Sequence, residues 1–192
     1  MTASQPLTEF SEATILVIDD KDDTRESIVA YLGYEGFRVQ EALNGTQALE
    51  ALNGPPPDLV LLDGMMPDMD GLDVLQTIRE TPRLAHLPVI MVTARGETSD
   101  VVRGYNIGAN DYLIKPVQLE VLVKRVQTHL RLQALERLRA TLAARLWEIK
   151  ELVEQSFPLE EEEETSTITP KVKAARELRG IVAEMIALSE EE

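Results

Sequence analysis

Polar and charged residues end several short apolar runs of this 192-residue sequence. Each run is nearly continuous in apolar residues, as in strands buried on both faces of a parallel sheet. Because the carboxyl ends of parallel strands share one edge, where ligands bind in open α/β sheets, these residues should meet. A single Asp in such a place is more often a turn or capping residue, so only the combination indicates a site. The residues are Asp19, Asp20, Asp63, Thr93 and Lys115.

The chemistry of this set follows from its charges. Three carboxylates in one place repel one another, and a hard divalent cation such as Mg²⁺ relieves that repulsion. Lys115 adds a positive charge and Thr93 a hydrogen-bond donor, which suits a phosphoryl group, and a carboxylate beside such a metal can form an acyl phosphate. The alternative is a flavodoxin-like binding protein whose acids hold a fixed structural metal ion, but the presence of Thr93 and Lys115 argues against it.

Strand and helix patterns alternate five times along the first two thirds of the chain. Such alternation predicts a doubly wound parallel sheet, with helices on both faces and right-handed crossovers. We expect the flavodoxin-like (βα)5 arrangement with strand order 2-1-3-4-5. The second run alternates in polarity, as a strand near the sheet edge does. The predicted strands are Thr14–Ile18, Phe37–Ala42, Leu59–Leu62, Leu87–Val92 and Tyr112–Ile114.

The segment from Thr14 to Leu130 resembles the receiver domain of two-component response regulators. The resemblance rests on the pair Asp19-Asp20, on LLD followed by MMPDMDG, on Thr93-Ala94, and on Lys115-Pro116 after GANDYLI. It implies that Asp63, the last residue of LLD, accepts a phosphoryl group from a histidine kinase or a phosphotransfer protein. It also implies a cis peptide bond before Pro116.

The same resemblance assigns roles to the other site residues. Asp20, Asp63 and the backbone carbonyl of Met65 would bind Mg²⁺ directly, and Asp19 would act through water. Lys115 would pair with the phosphoryl group, while Thr93 and Tyr112 would be the switch hydroxyl and the switch aromatic residue. Arg95 occupies a position that tunes phosphoryl lifetime in the family, where it would either shield the acyl phosphate or assist its partner. His86 and His129 have no ligand or catalytic partner at suitable spacing, and we expect both at the surface.

A long helical pattern continues past the end of an ordinary receiver domain. No Pro or Gly occurs from Val117 to Gln155, and apolar residues recur with an eleven-residue period, which keeps one stripe on a nearly straight or slightly right-handed helix. The stripe is Leu135, Leu138, Leu142, Leu146, Ile149 and Val153. An exposed stripe needs a partner, and pairing into a coiled-coil homodimer is the simplest solution. Alternatively, a second amphipathic helix beginning at Pro170 folds back on it, and a dimer would then form a four-helix bundle.

These patterns predict a domain organisation. We expect a flexible tail, a receiver domain, a helical stalk that continues the fifth helix, an acidic linker and a C-terminal amphipathic helix. Their predicted ranges are 1–12, 13–132, 133–157, 158–169 and 170–192.

Composition restricts the partners and the location of the chain. The net charge of −15 predicts that it avoids nucleic acid and anionic membranes, and the absence of Cys excludes disulfides and thiolate metal sites. The N-terminus lacks a signal-peptide core, and no run reaches the roughly 20 apolar residues of a membrane span. We therefore expect a cytoplasmic protein without its own catalytic domain. The alternative is the regulatory front part of a larger enzyme, such as a nucleotide cyclase or a phosphatase.

Overall fold

The computed structural model describes residues 10, 12–94, 98–156 and 170–190. Within them, strands and helices alternate as the sequence predicts. The strands are β1 (Thr14–Ile18), β2 (Arg38–Ala42), β3 (Leu59–Asp63), β4 (Val89–Thr93) and β5 (Asp111–Ile114). The helices are α1 (Asp22–Tyr34), α2 (Gly45–Asn53), α3 (Gly71–Glu80), α4 (Thr98–Ile107), α5 (Leu119–Ser156) and α6 (Pro170–Glu190).

The five strands form one parallel sheet in the order β2-β1-β3-β4-β5, which confirms the predicted topology. Every residue of β3 and β4 is buried, and so are the last four residues of β1, because helices cover both faces of the sheet centre. Strand β2 is exposed at three of its five positions, in line with the alternating pattern that indicated an edge strand. The helical extension formed by α5 and α6 is also present.

Two apolar layers hold the sheet between its helices. Side chains that alternate along each strand point to opposite faces, so each strand contributes to both layers. One layer joins the sheet to α2 and α3, through Leu52, Leu75 and Ile78. The other joins it to α1 and the first part of α5, through Ile28, Leu32, Leu122 and Val126.

The chain divides into two compact units, residues 1–133 and 134–192. In the second unit, Val153 of α5 and Val182 and Ile186 of α6 are buried. No helix in the described ranges is both long enough and apolar enough to cross a membrane. The predicted acidic linker and most of the predicted N-terminal tail lie outside the described residues, and the domain boundaries stay predictions.

Candidate functional site

The sequence-predicted site residues lie together at the carboxyl edge of the sheet. Asp63 and Thr93 are the last residues of β3 and β4, while Asp19 and Lys115 directly follow β1 and β5. The strand register places these ends side by side, because Ile18 is level with Leu62 in the parallel pairing of β1 and β3, and Asp63 is level with Val92 on β4. Residues far apart in sequence therefore converge because four adjacent strands end at the same level.

Lys115 joins the two most buried acids of the site. Its Nζ donates hydrogen bonds to Asp19 Oδ2 and to Asp63 Oδ2, each at 2.7 Å. The Lys115 side chain is 12% exposed, and the Asp19 and Asp63 side chains are 2% and 3% exposed. Burial opposes the lysine charge, but the hydrogen bonds to the two carboxylates and their negative charges outweigh it and raise the pKa of Lys115. The lysine is therefore held in its charged form between two acids.

The Asp63 carboxyl group is enclosed but has hydrogen-bond donors on both oxygens. The Met65 amide donates to Oδ1 at 3.1 Å, opposite the Lys115 contact on Oδ2. Burial raises the pKa of Asp63 above its ordinary value, although the hydrogen bonds from Lys115 and Met65 pull in the other direction. Both oxygens are thus fixed in direction, and the local environment disfavours the unneutralised anion.

The acidic cluster fits a hard cation. One carboxylate oxygen from each of Asp19, Asp20 and Asp63 lies within 4.8 Å of the others. Asp19 Oδ1 accepts the Lys21 amide at 3.0 Å and its Oδ2 accepts Lys115, so both of its oxygens are engaged. Asp20 Oδ1 is buried and has no hydrogen-bond partner within the described part of the chain. A buried, unpaired carboxylate oxygen is costly unless a cation satisfies it, and an oxygen-only ligand set suits Mg²⁺.

The loop after β3 is held in place from both ends. A Cβ atom at Gly71 would overlap the Asp63 carbonyl oxygen and lie 2.8 Å from Gly64 Cα, so only glycine allows α3 to start this close to the strand. Asp70 caps α3 by accepting the Leu72 amide at 3.0 Å.

Asp68, in the middle of this loop, ties it to the start of the preceding helix, α2. Its carboxylate accepts the amides of Gly45 and Thr46 and the Thr46 hydroxyl, at 3.0 to 3.1 Å. The bond from the Thr46 amide is the main reason why the pKa of Asp68 is lowered; partial burial opposes it, and the Gly45 amide and Thr46 hydroxyl add to it. The loop that carries Met65 is therefore anchored to the start of α2 as well as to β3.

Arg25 is a residue of this region that the sequence analysis missed. Its side chain is buried beneath the loop after β1, and its Nη1 donates to the Asp19 backbone carbonyl at 2.9 Å. The same guanidinium contacts Asp22 at 2.6 Å and Glu41 at 3.2 Å. The i,i+3 spacing from Asp22 to Arg25 predicts only a surface pair, and the link to Glu41 on β2 exists only in the folded sheet.

Thr93 and Tyr112 line the side of the site that faces α4. Thr93 is buried at the end of β4, and its carbonyl accepts the Lys115 amide at 3.0 Å. Tyr112 lies on β5 level with Met91, and its ring packs against that of Tyr105 with centroids 5.1 Å apart. Burial is the main reason why the pKa of Tyr112 is raised. The peptide bond between Lys115 and Pro116 is cis, as the resemblance implies.

Three further predictions concern His86, His129 and Arg95. His86 is exposed as predicted, but the same prediction for His129 is wrong. The His129 side chain is 14% exposed and its Nε2 lies 3.2 Å from Asp111 Oδ2, which also accepts Arg125 Nη1 at 2.8 Å. The face of α5 that carries His129 turns toward the start of β5, which helical spacing alone does not reveal. Arg95 lies outside the described residues.

Residues 15–127 match the family described as the response regulator receiver domain. Response regulator MprA of Mycobacterium ulcerans is 43% identical over 122 residues, which are 64% of this chain and 52% of that protein. A probable cyclic di-GMP phosphodiesterase of Vibrio cholerae is 39% identical over 125 residues, which are 64% of this chain and 27% of that protein. The DNA-binding response regulator MtrA of Mycolicibacterium paratuberculosis is 44% identical over 117 residues, covering 61% of this chain and 51% of that protein.

These relatives are longer proteins, and the chain spans about half of their length or less. Because one of them is named as DNA-binding, the predicted absence of a nucleic-acid partner gains no support from them.

Solved structures of receiver domains share the fold of this chain. A CheY-like receiver domain protein from Methanospirillum hungatei superposes with a TM-score of 0.62 and 28% identity, covering 65% of this chain and 98% of that chain. The receiver domain of Francisella response regulator 1452 gives a TM-score of 0.59 and 29% identity, covering 63% of this chain and 98% of that chain.

Proposed function

The chain belongs to the response regulator receiver family, and from that membership and the geometry of its acidic pocket we propose that it accepts a phosphoryl group on Asp63. The observation that carries the proposal is the pair of 2.7 Å contacts by which Lys115 joins Asp19 and Asp63 next to Asp20. A buried lysine between two acids, beside an Asp20 oxygen that has no hydrogen-bond partner among the described residues, provides both the nucleophile and the positive charge for phosphoryl transfer.

The donor in this proposal is a phosphohistidine of a cytoplasmic histidine kinase or phosphotransfer protein. An Asp63 carboxylate oxygen attacks the phosphorus atom, the P–N bond breaks, and the imidazole leaves with that electron pair. The Met65 amide and Lys115 hold the two carboxylate oxygens in fixed directions before the donor arrives. Lys115 Nζ then lies where negative charge on the transferred phosphoryl group develops, so its stabilisation requires no rearrangement.

We assign the Mg²⁺ ligands to Asp20, Asp63 and the backbone carbonyl of Met65, with Asp19 acting through water. The ion would supply positive charge against the clustered acids and the incoming phosphoryl oxygens. The unpartnered Asp20 Oδ1 supports a direct role for Asp20, and the two hydrogen bonds already made by Asp19 support its indirect role.

We propose that Thr93 and Tyr112 convert the new charge into a change of surface. Thr93 would turn its hydroxyl toward the phosphoryl group, and Tyr112 would respond at the face formed by α4 and β5. The cavity between them supports this coupling, because both side chains line it together with Gly64 and Asp70. A local electrostatic change would then alter the surface that a partner contacts.

The output in this proposal is a protein interaction, in which two chains pair through their C-terminal helices as a coiled coil. The support is the exposure of the predicted stripe on α5, because Leu135, Leu138 and Leu142 are each more than half exposed. The proposal keeps the predicted receiver, stalk, linker and terminal-helix ranges 13–132, 133–157, 158–169 and 170–192.

A second candidate is a regulatory segment that works on a larger enzyme. It is favoured by the 39% identity to a probable cyclic di-GMP phosphodiesterase, of which the chain spans 27%. In that case Asp63 would still be the phosphoacceptor, and the helices would relay the signal to a catalytic domain such as a nucleotide cyclase or a phosphatase. In either case we assign no separate catalytic domain to residues 1–192.

Incubation with acetyl phosphate tests the phosphoacceptor. We expect intact-mass measurement to show one phosphoryl adduct on the wild type with Mg²⁺ and none with EDTA. The Asp63→Asn variant should show no adduct, while Asp73→Asn, which changes an exposed carboxylate on α3, should behave as the wild type. No adduct on the wild type, or an equal adduct on Asp63→Asn, would refute the proposal.

Light scattering tests the output. We expect the mass of a dimer for the wild type and a larger fraction of dimer after phosphorylation. The Leu138→Glu variant should have the mass of a monomer. The matched control is Ala140→Glu, which places the same charge on an exposed position of α5 away from the stripe. A monomer mass with and without acetyl phosphate would rule out pairing and leave the relay to a catalytic domain as the output.

A further inference from the structure

The hydroxyl group of Tyr112 is buried against α4 without a hydrogen bond. Its oxygen is inaccessible to solvent and has no hydrogen-bond partner among the described residues. A phenolic hydroxyl normally finds a partner when it is buried, since otherwise it loses its hydrogen bonds to water with no replacement. Packing, and not hydrogen bonding within the described residues, therefore holds the Tyr112 side chain in this position.

The fit depends on one residue of α4. A Cβ atom at Gly104 would overlap the Tyr112 hydroxyl oxygen and lie 2.6 Å from its Cζ atom and 3.1 Å from its Cε2 atom. Real Cβ atoms essentially never approach within 3.0 Å of another side chain, so no other residue at position 104 can coexist with this tyrosine position.

The helix itself does not require glycine there. Gly104 is inside α4, has no positive φ, and its carbonyl accepts the amides of Gly108 and Ala109 at 3.0 Å and 2.9 Å. Alanine would suit such a backbone better, because glycine is among the weakest helix formers. The missing side chain therefore serves the tyrosine and not the helix.

We propose that Gly104 is a positioning residue that opens a slot in α4 for the Tyr112 hydroxyl and so permits the buried position of the switch tyrosine. This inference rests on the proposed function, in which Tyr112 reports the state of Asp63. Because the buried hydroxyl has no polar partner in the described part of the chain, an exposed position in which it regains water competes with the buried one. Gly104 keeps both positions available, and a larger residue leaves only the exposed one.

Fluorine NMR of the full chain tests the inference directly. The four tyrosines are labelled as 3-fluorotyrosine, and the Tyr112 signal is assigned by its loss in Tyr112→Phe. In untreated wild type we expect the Tyr112 signal to be protected from a neutral gadolinium chelate. In Gly104→Ala we expect its relaxation enhancement to rise toward that of Tyr34, which is 66% exposed. Gly33→Ala is the matched control, because a Cβ atom at that helical glycine meets nothing within 4 Å.

Treatment with acetyl phosphate extends the test. Gly104→Ala should acquire the phosphoryl adduct as the wild type does, because Gly104 does not touch the acidic pocket, but its Tyr112 signal should no longer change on phosphorylation. If neither protein acquires the adduct, the proposed function fails while the untreated spectra still decide the role of Gly104. If Tyr112 stays protected in Gly104→Ala, the slot is not needed and the inference is wrong.

A double variant covers the case in which Gly104→Ala does not fold. If the clash with the tyrosine is the cause, Gly104→Ala combined with Tyr112→Ala should fold and should unfold at a urea midpoint no lower than that of Tyr112→Ala alone. A double variant that also fails to fold would show that position 104 needs glycine for another reason, which overturns the inference.

Discussion

Replacing Lys115 by Met tests whether the acidic pocket is assembled around that cation. Lys115 Nζ contacts Asp19 Oδ2 and Asp63 Oδ2 at 2.7 Å, in a pocket where none of the three side chains is more than 12% exposed. Methionine keeps the length and flexibility of the lysine stem but removes the charge. The substitution thus isolates the electrostatic contribution with little change in packing.

The expected loss of unfolding free energy in Lys115→Met follows from the burial of the pocket and from the contacts that remain. Removing one partner of a buried ion pair costs about 3–5 kcal/mol, because it leaves an uncompensated charge. Asp63 keeps the Met65 amide and Asp19 keeps the Lys21 amide, so we expect the lower end, a loss of about 3 kcal/mol in unfolding free energy at pH 8 without Mg²⁺. The pKa of Lys115 is raised, so its contribution is complete below its unfolded pKa, near 10.4, and is lost only as the pH rises through the higher folded value.

Urea denaturation followed by far-ultraviolet circular dichroism, with EDTA or with Mg²⁺, measures this loss. Mg²⁺ should stabilise the Lys115→Met variant more than the wild type, because the cation takes over compensation of the acids. The loss should also shrink as the pH falls, because Asp63, whose pKa is raised by burial, can take up a proton. Lys124→Met, at an exposed lysine of α5, should stay within about 0.5 kcal/mol of the wild type. A Lys115→Met loss as small as that of the control, or equal stabilisation of both proteins by Mg²⁺, would refute the reasoning.

Three further predictions concern neighbouring residues and use the same denaturation assay. Burial raises the pKa of Asp63 although Lys115 and Met65 oppose it, so its stabilising contribution is complete below the unfolded pKa near 3.9 and is lost as the pH rises through the folded value. Asp63→Asn removes this buried charge while Lys115 keeps its contact with Asp19, so the variant should be more stable than the wild type at pH 7 without Mg²⁺. An equal urea midpoint would contradict this. Arg25→Met should lose about 2 kcal/mol, because the guanidinium is buried and the Asp19 carbonyl is left without its donor; a change below about 0.5 kcal/mol would show that water replaces it. The pKa of Asp68 is lowered chiefly by the Thr46 amide, so Asp68→Ala should lower the urea midpoint at pH 7, and the difference should vanish as the pH falls through the folded pKa; a pH-independent difference would exclude this linkage.

The convergence of the site residues was predictable because it depends on topology alone. Once five strands alternate with five helices, right-handed crossovers place all strand ends at one edge. Residues at those ends then meet whatever the details of packing. The proximity of Asp63 and Lys115 was therefore predictable although they are 52 residues apart in the sequence. Polarity alternation in the sequence likewise indicated that β2 lies near the sheet edge, and three of its five residues are exposed there.

The residues that sequence reasoning missed depend on contacts between elements. Arg25 donates to the Asp19 carbonyl and pairs with Glu41 on β2, and both contacts exist only in the folded sheet. His129 reaches Asp111 because of the way α5 is rotated on the sheet. Nothing in the sequence indicates a role for Gly104, because a glycine inside a helix indicates only a lower helix propensity. Its role becomes visible only when the position of the Tyr112 hydroxyl is known.

The two alternatives for the α5 stripe use different parts of it. Val153 is 8% exposed, and the buried Val182 and Ile186 of α6 belong to the same compact unit, so the chain itself covers the end of the stripe. Leu138 and Leu142, earlier on α5, remain more than half exposed, and folding back does not account for them. Because apolar area removed from water contributes about 25 cal/mol per Å², a second chain that covers this part gains free energy the single chain leaves unused. The covered end near Val153 therefore leaves pairing near Leu138 available, and a substitution at Leu138 tests pairing without disturbing that end.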